Sequence, residues 1–115
     1  PGPHAHADIE ETFFVVEGEV EVRSEFGTYV ATAGSFVRIP KGGVVHGFKN
    51  KSQRPARLLC TVVPAGLEEF FQHIGQPVAV GQFLPPPVLD AEAIQRIQAL
   101  AREYGQQVFP PNYLG

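Results

Sequence analysis

The sequence predicts a mainly β chain that folds as a sandwich or barrel and ends in helices. Three observations carry this. Between residues 3 and 63, short apolar or alternating runs recur about seven times, each closed by a turn signal. Gly (12) and Pro (11) are frequent and Phe (9) dominates the aromatics, which suits short strands broken by turns better than a helix bundle. Beyond Pro64 the apolar period changes from that of strands to that of amphipathic helices.

Residues 3–7 read as the end of a strand, and Ala7 to Glu10 as a polar bend. Thr12 to Val16 is a continuous apolar run, expected to form a strand buried on both faces. Glu17-Gly18-Glu19 turns it. Val20, Val22 and Ser24 then alternate with Glu21 and Arg23, the pattern of a half-exposed strand. Glu25-Phe26-Gly27-Thr28 is a hairpin turn with Gly27 as its positive-φ residue, and Tyr29 to Thr32 return. Ala33-Gly34-Ser35 turns into Phe36-Val37-Arg38-Ile39. The breaker cluster Pro40-Lys41-Gly42-Gly43 ends that strand. Val44 to Asn50 resumes extended structure, Lys51 to Pro55 is a polar loop, and Arg57 to Val63 is the last strand of the series. Leu67 to Ile74 reads as a short helix capped by Gly75. Residues 76–89, with Pro77 and Pro85-Pro86-Pro87, read as a surface linker. Asp90 is a good N-cap for a second helix over 91–104. Ile94, Ile97, Leu100, Ala101 and Tyr104 form its apolar stripe, and Gly105 ends it. The tail carries Phe109, Tyr113 and Leu114 and is expected to be tucked down. The expected organisation is therefore residues 1–75 as a β-barrel with a short closing helix. Residues 76–115 are expected to pack on that barrel as linker, helix and tail.

Composition removes several function classes. A net charge of −3 gives no electrostatic reason to expect nucleic acid. No apolar run approaches a membrane span. The single cysteine, Cys60, excludes an internal disulfide and a cysteine-based zinc site, and its apolar run predicts a buried small hydrophobe. No signal peptide is visible and the expected location is cytoplasmic. The chain contains no Met, so its start is expected to have been processed, trimmed or left out, and a targeting segment would have gone with it.

The chemistry gathers at the start of the chain. In a strand, His4 and His6 share a face, about 7 Å apart. Glu11 begins the next strand and points back at the same spot. Glu10 competes for that role, but the spacing to Gly18 favours Glu11. His46, early on a returning strand after a glycine-rich bend, is the missing fourth group. Imidazoles with one carboxylate suit Fe, Ni, Cu, Zn or Mn, and no thiolate selects among them. Four protein ligands leave one or two positions open for a substrate oxygen or dioxygen. Glu11 is also the candidate catalytic base, because a carboxylate that loosens from a metal can take a proton from a bound enol or hydroxyl. Strand parity places Phe13, Val15, Phe36 and Phe48 on the walls, favouring a flat or partly apolar small molecule. Arg38 is a candidate wall residue for an anionic group. The acidic run Glu17, Glu19, Glu21 and Glu25 reads as a solvated face, and His73 as exposed.

Two stretches together resemble the two motifs of the cupin superfamily. His4, His6, Glu11 and Gly18 fit the first: an HxH pair, a following Glu, and a Gly after six intervening residues. Gly34, Pro40, His46 and Asn50 fit the second, with one extra residue in the bend Lys41-Gly42-Gly43. The continuation Pro64-Ala65-Gly66-Leu67-Glu68-Glu69-Phe70-Phe71 is similar to that of small bacterial cupins related to quercetin 2,3-dioxygenase. The resemblance implies a double-stranded β-helix (jelly-roll) barrel holding one divalent transition metal on His4, His6, Glu11 and His46. It also implies a homodimer, since the sheets of small cupins commonly pair. Family members place strands before the histidine pair, whereas here the pair begins at residue 4. The exposed edge is expected to need a covering strand or partner. Three functions follow as expectations. The first is a quercetinase-like dioxygenase acting on an enol, flavonol or diketone. The second is a metal-dependent isomerase or lyase. The third is a binding or sensing barrel without turnover. The fold alone does not choose among them.

Overall fold

Two antiparallel sheets face each other across an apolar interior in the computed structural model, which describes residues 2–115. Among the described residues eight strands build them: β1 His4–Ala5, β2 Glu10–Glu17, β3 Glu19–Ser24, β4 Gly27–Thr32, β5 Phe36–Ile39, β6 His46–Lys49, β7 Arg57–Val63 and β8 Gln107–Val108. Two helices, α1 Leu67–Ile74 and α2 Ala91–Glu103, lie between β7 and β8 in sequence. One sheet runs β4-β3-β6-β1-β8 and the other β5-β2-β7. The strand spacing predicts a sandwich or barrel, and the two sheets form the jelly-roll-like arrangement that the family resemblance implies.

Period-two alternation decides which side chains enter the core. Phe13 and Val15 of β2 point inward with Val20 and Val22 of β3, Ala31 of β4, and Val37 and Ile39 of β5. Phe48 and Leu58 pack against this cluster. The run Thr12–Val16 is not buried on both faces: Phe14 and Val16 are 41% and 53% exposed. Only one face of the β5-β2-β7 sheet is covered, so the outward residues of an all-apolar run meet solvent.

The turn after β2 explains its glycine. Gly18 has φ +77, and a Cβ there would sit 2.6 Å from the Pro55 carbonyl oxygen, so no other residue fits without moving the 50–55 loop. Asn50 organises that loop: its amide donates to the Arg54 carbonyl and its oxygen accepts from the Ser52 N–H and hydroxyl.

The helices form a second apolar cluster. Leu67 and Phe70 of α1 meet Ala101 of α2, with Val62, Ile97, Leu100 and Tyr104 packed around them. The Asp90 carboxylate caps α2 by accepting from the Ala93 N–H at 2.8 Å. Residues 76–89 between the helices are exposed throughout and carry no helix or strand. The tail is an eighth strand as well as a tucked segment: β8 pairs with β1 through His4↔Val108 and Ala5↔Gln107. The edge of β1 is thus covered by the chain's own C-terminal residues.

Candidate metal centre

Four side chains converge where β1, β2 and β6 meet. His4 comes from β1 and His6 from the residues just after it. Glu11 is the second residue of β2, and His46 the first of β6. The pairings that bring them together are His4↔His46 between β1 and β6 and the inward parity of Glu11 with Phe13 and Val15. One ligand atom from each of the four lies within 4.8 Å of all the others. His6, Glu11 and His46 are buried, and His4 is partly open. Glu10, the competing carboxylate, faces outward and accepts from Arg38 Nε at 2.6 Å.

The ring nitrogens are pre-arranged. Each histidine turns Nδ1 to a backbone carbonyl: His4 to Gly2 at 2.8 Å, His6 to Ile9 at 3.0 Å and His46 to Val44 at 2.8 Å. A neutral imidazole that donates from Nδ1 keeps a lone pair on Nε2. The Nε2 atoms of His6 and His46 lie 3.4 and 3.2 Å from Glu11 Oε1. Lone pairs facing a carboxylate oxygen repel unless a cation or proton lies between them. His6 Nε2 is moreover buried without a hydrogen-bond partner. Three imidazole nitrogens and one carboxylate therefore fit a divalent transition metal by donor type. Ligand atoms about 2.1 Å from one ion lie at most ~4.2 Å apart, so binding needs the widest pair to close by about half an ångström.

The electrostatics point the same way. Burial depresses His4 to about 4, so it is neutral at physiological pH. Burial would raise Glu11, but hydrogen bonds from the His46 and His6 rings, made whenever Nε2 carries a proton, outweigh it and hold the carboxyl at about 2, fully ionised. Glu11 Oε2 accepts from the Cys60 thiol at 3.6 Å. Burial and the Glu11 charge push that thiol up to about 12, so it stays protonated as a neutral donor.

A cavity of about 590 Å³ reaches the cluster through His4 and Glu11, which line it. Phe13 and Phe48, two of the residues assigned to the walls, line it and meet edge to face at 5.1 Å. The other three lie elsewhere. Val15 is fully buried in the core between the sheets. Phe36 is 65% exposed on the outer face of β5, beside Arg38 and its partner Glu10. Parity along one strand gives two faces but not which is inside, and β5 starts with Phe36 outward. The rest of the wall comes from residues the sequence reading did not assign to it. Leu58 and Cys60 face in from β7, Phe70 and Phe71 from α1, Ile97 from α2 and Val108 from β8. Cys60 is thus a wall residue of the cavity and not a buried core hydrophobe. The alternation of Leu58, Cys60 and Val62 was the available signal, since these three share a face.

The comparisons agree with this architecture. The cupin domain family matches residues 1–62, over half of the chain. A cupin-superfamily sugar phosphate isomerase from Silicibacter pomeroyi is 27% identical with a TM-score of 0.50, over 54% of this chain and 40% of that one. A Thermus thermophilus protein is 32% identical with a TM-score of 0.49, over 54% and 57%. A putative ethanolamine utilization protein of Salmonella typhimurium is 33% identical with a TM-score of 0.45, over 55% and 49%. The chain thus spans about half the length of the solved structures it matches. No curated protein matches it. Among the described residues, no helix is long and apolar enough to cross a membrane. The matched residues contain both motifs and the strands that carry the four converging side chains, and the chain belongs to the cupin family.

Proposed function

We propose that this chain is a metal-dependent enzyme that binds a small, largely apolar organic molecule through an oxygen, and that its reaction is a quercetinase-like dioxygenation of an enol, flavonol or 1,3-diketone. The observation that carries the reading is the pairing of a three-histidine, one-glutamate cluster with an apolar cavity that reaches it. A bound divalent cation would supply Lewis acidity and open positions for oxygen ligands. The chain's residues supply the rest. His4, His6 and His46 present their Nε2 atoms, each ring fixed by an Nδ1 bond to a backbone carbonyl. Glu11 supplies the balancing charge and is the proton acceptor nearest a ligand hydroxyl. Its low pKa makes it a ligand first and a weak base second. Phe13, Phe48, Phe70 and Ile97 exclude water and select flat apolar surface. A dioxygenase places both oxygen atoms in its products, so no external reductant is required.

A second reading is an isomerase, favoured by the likeness to the Silicibacter pomeroyi protein. Among the described residues lining the cavity there is no Lys or Arg to meet a phosphate, which weighs against a sugar phosphate. Dioxygen uptake by metal-loaded protein with a flavonol or 1,3-diketone tests the choice. Uptake matched to substrate loss supports the dioxygenase. Anaerobic conversion of a phosphosugar would replace it with the isomerase. Tight binding without turnover would leave a binding barrel.

We also propose a homodimer. The outer face of the β5-β2-β7 sheet exposes Phe14, Val16, Phe36 and Leu59 together, an apolar patch suited to a second copy.

A further inference from the structure

The strand that carries His4 has little holding it in place from the cupin domain itself. β1 is two residues long and pairs with β6 at a single position, His4↔His46. On its other side it pairs with β8 at both positions, His4↔Val108 and Ala5↔Gln107. The Phe109 N–H extends that ladder by donating to the Pro3 carbonyl at 3.0 Å. Beyond it, the Gly42 N–H donates to the Ala7 carbonyl at 2.9 Å and the His6 ring meets the Ile9 carbonyl and Glu11. The His4 ring is oriented within the same short segment, by its Nδ1 bond to Gly2. β8 in turn is anchored through α2, whose Ala101 and Ile97 pack on α1 and whose end is joined to β8 by Tyr104-Gly105-Gln106. Val108 and Ile97 also line the cavity, so the same segment closes it.

We propose that β8 is a positioning strap for His4, and that docking of the C-terminal segment and metal binding at His4, His6, Glu11 and His46 are coupled. The inference rests on the metal-centre reading above. A displaced strap frees β1 on one side and lets the His4 ring leave the cluster. A metal that holds His4 in place stabilises the docked strap by the same factor, because the coupling is reciprocal. Val108 and Phe109 act here as positioning residues through β1. Neither is a ligand.

The test uses the full chain and Zn²⁺ as the probe. In the wild-type protein, one equivalent of Zn²⁺ is expected to slow amide hydrogen exchange at residues 107–109 as well as at 4–6. Phe109→Pro removes the donor to Pro3 and is expected to weaken Zn²⁺ binding about tenfold or more, the scale of lost supporting interactions around a metal ligand. Phe109→Ala keeps the N–H and is expected to bind within about threefold of wild type. Wild-type Zn²⁺ binding with unchanged exchange at 107–109 would overturn the strap and leave the metal centre standing. Equal losses in the Pro and Ala variants would also overturn it, by assigning the effect to ring packing. A wild-type chain that binds no Zn²⁺ would refute the metal centre and the strap with it.

Discussion

Replacing His46 by glutamine should remove the metal while keeping the barrel. His46 is 1% exposed, and its Nδ1 donates to Val44 while its Nε2 faces Glu11. It is one of four ligands. Structural zinc sites bind with about 10–16 kcal/mol, so an even share for one ligand of four is about 3 kcal/mol. That corresponds to a loss of affinity of roughly a hundredfold or more. Alanine at the same position adds a void and leaves the Val44 carbonyl without its donor, an extra cost of about 1–3 kcal/mol for the unpaired group alone. Glutamine fills most of the space and offers an amide to Val44, so the folding loss should be much smaller. The assay is a chelator-competition titration with Zn²⁺ or Co²⁺, run beside thermal unfolding. H46Q is expected to unfold within a few degrees of wild type and to bind metal at least about a hundredfold more weakly. H46A should lose both affinity and stability. Full stoichiometry in H46Q, with affinity within threefold of wild type, would refute the assignment of His46 as a ligand.

Other perturbations follow from the same geometry. Glu11→Gln removes the balancing charge but leaves the three histidines. It should retain metal at reduced affinity and lose about a hundredfold or more in turnover, and unchanged turnover would rule out the proton-transfer role. Ligand nitrogens must be unprotonated to bind metal, so affinity falls with falling pH once a histidine takes a proton. Burial opposes the protonation of His6, but Glu11 and the Ile9 carbonyl hold it above its ordinary 6.5. His4 resists protonation down to about 4. Zn²⁺ affinity should therefore begin to decline above pH 6.5 and fall further near pH 4. A flat profile between pH 7.5 and 5.5, measured by competition, would contradict this. Leu59→Glu places a charge on the outer face of the β5-β2-β7 sheet, where Leu59 is 59% exposed. Sedimentation should show a wild-type dimer at micromolar concentration and a monomeric variant. A monomeric wild type would remove the proposed interface.

Much of the strand order was legible because turn chemistry and period-two patterning are local. β5, β7 and α1 begin and end where their turn and cap residues place them. The four converging groups were legible for a different reason: their spacing belongs to two short motifs, although the strands that carry them meet only in the fold, as in His4↔His46. The walls of the cavity were not, because they depend on which face of each strand is covered. Val15 and Phe36 show the difficulty, as one is interior to both sheets and the other lies outside them. The roof was legible in part, as the short closing helix over 67–74, but the share of α2 and β8 in it was hidden. Phe70, Ile97 and Val108 come from three elements joined through an exposed linker, and only tertiary packing brings them over His4 and Glu11. β8 escaped notice because a two-residue strand has no period. Its partner is about a hundred residues away, and strand pairing at that distance leaves no local mark.

X-ray absorption at the metal edge of the wild-type protein, loaded with one equivalent of Zn²⁺, tests the central claim most directly. One tightly held ion per chain is expected, coordinated by three imidazole nitrogens and at least one carboxylate oxygen. Coordination by fewer than two imidazoles, or Zn²⁺ removed by simple buffer exchange, would contradict the claim.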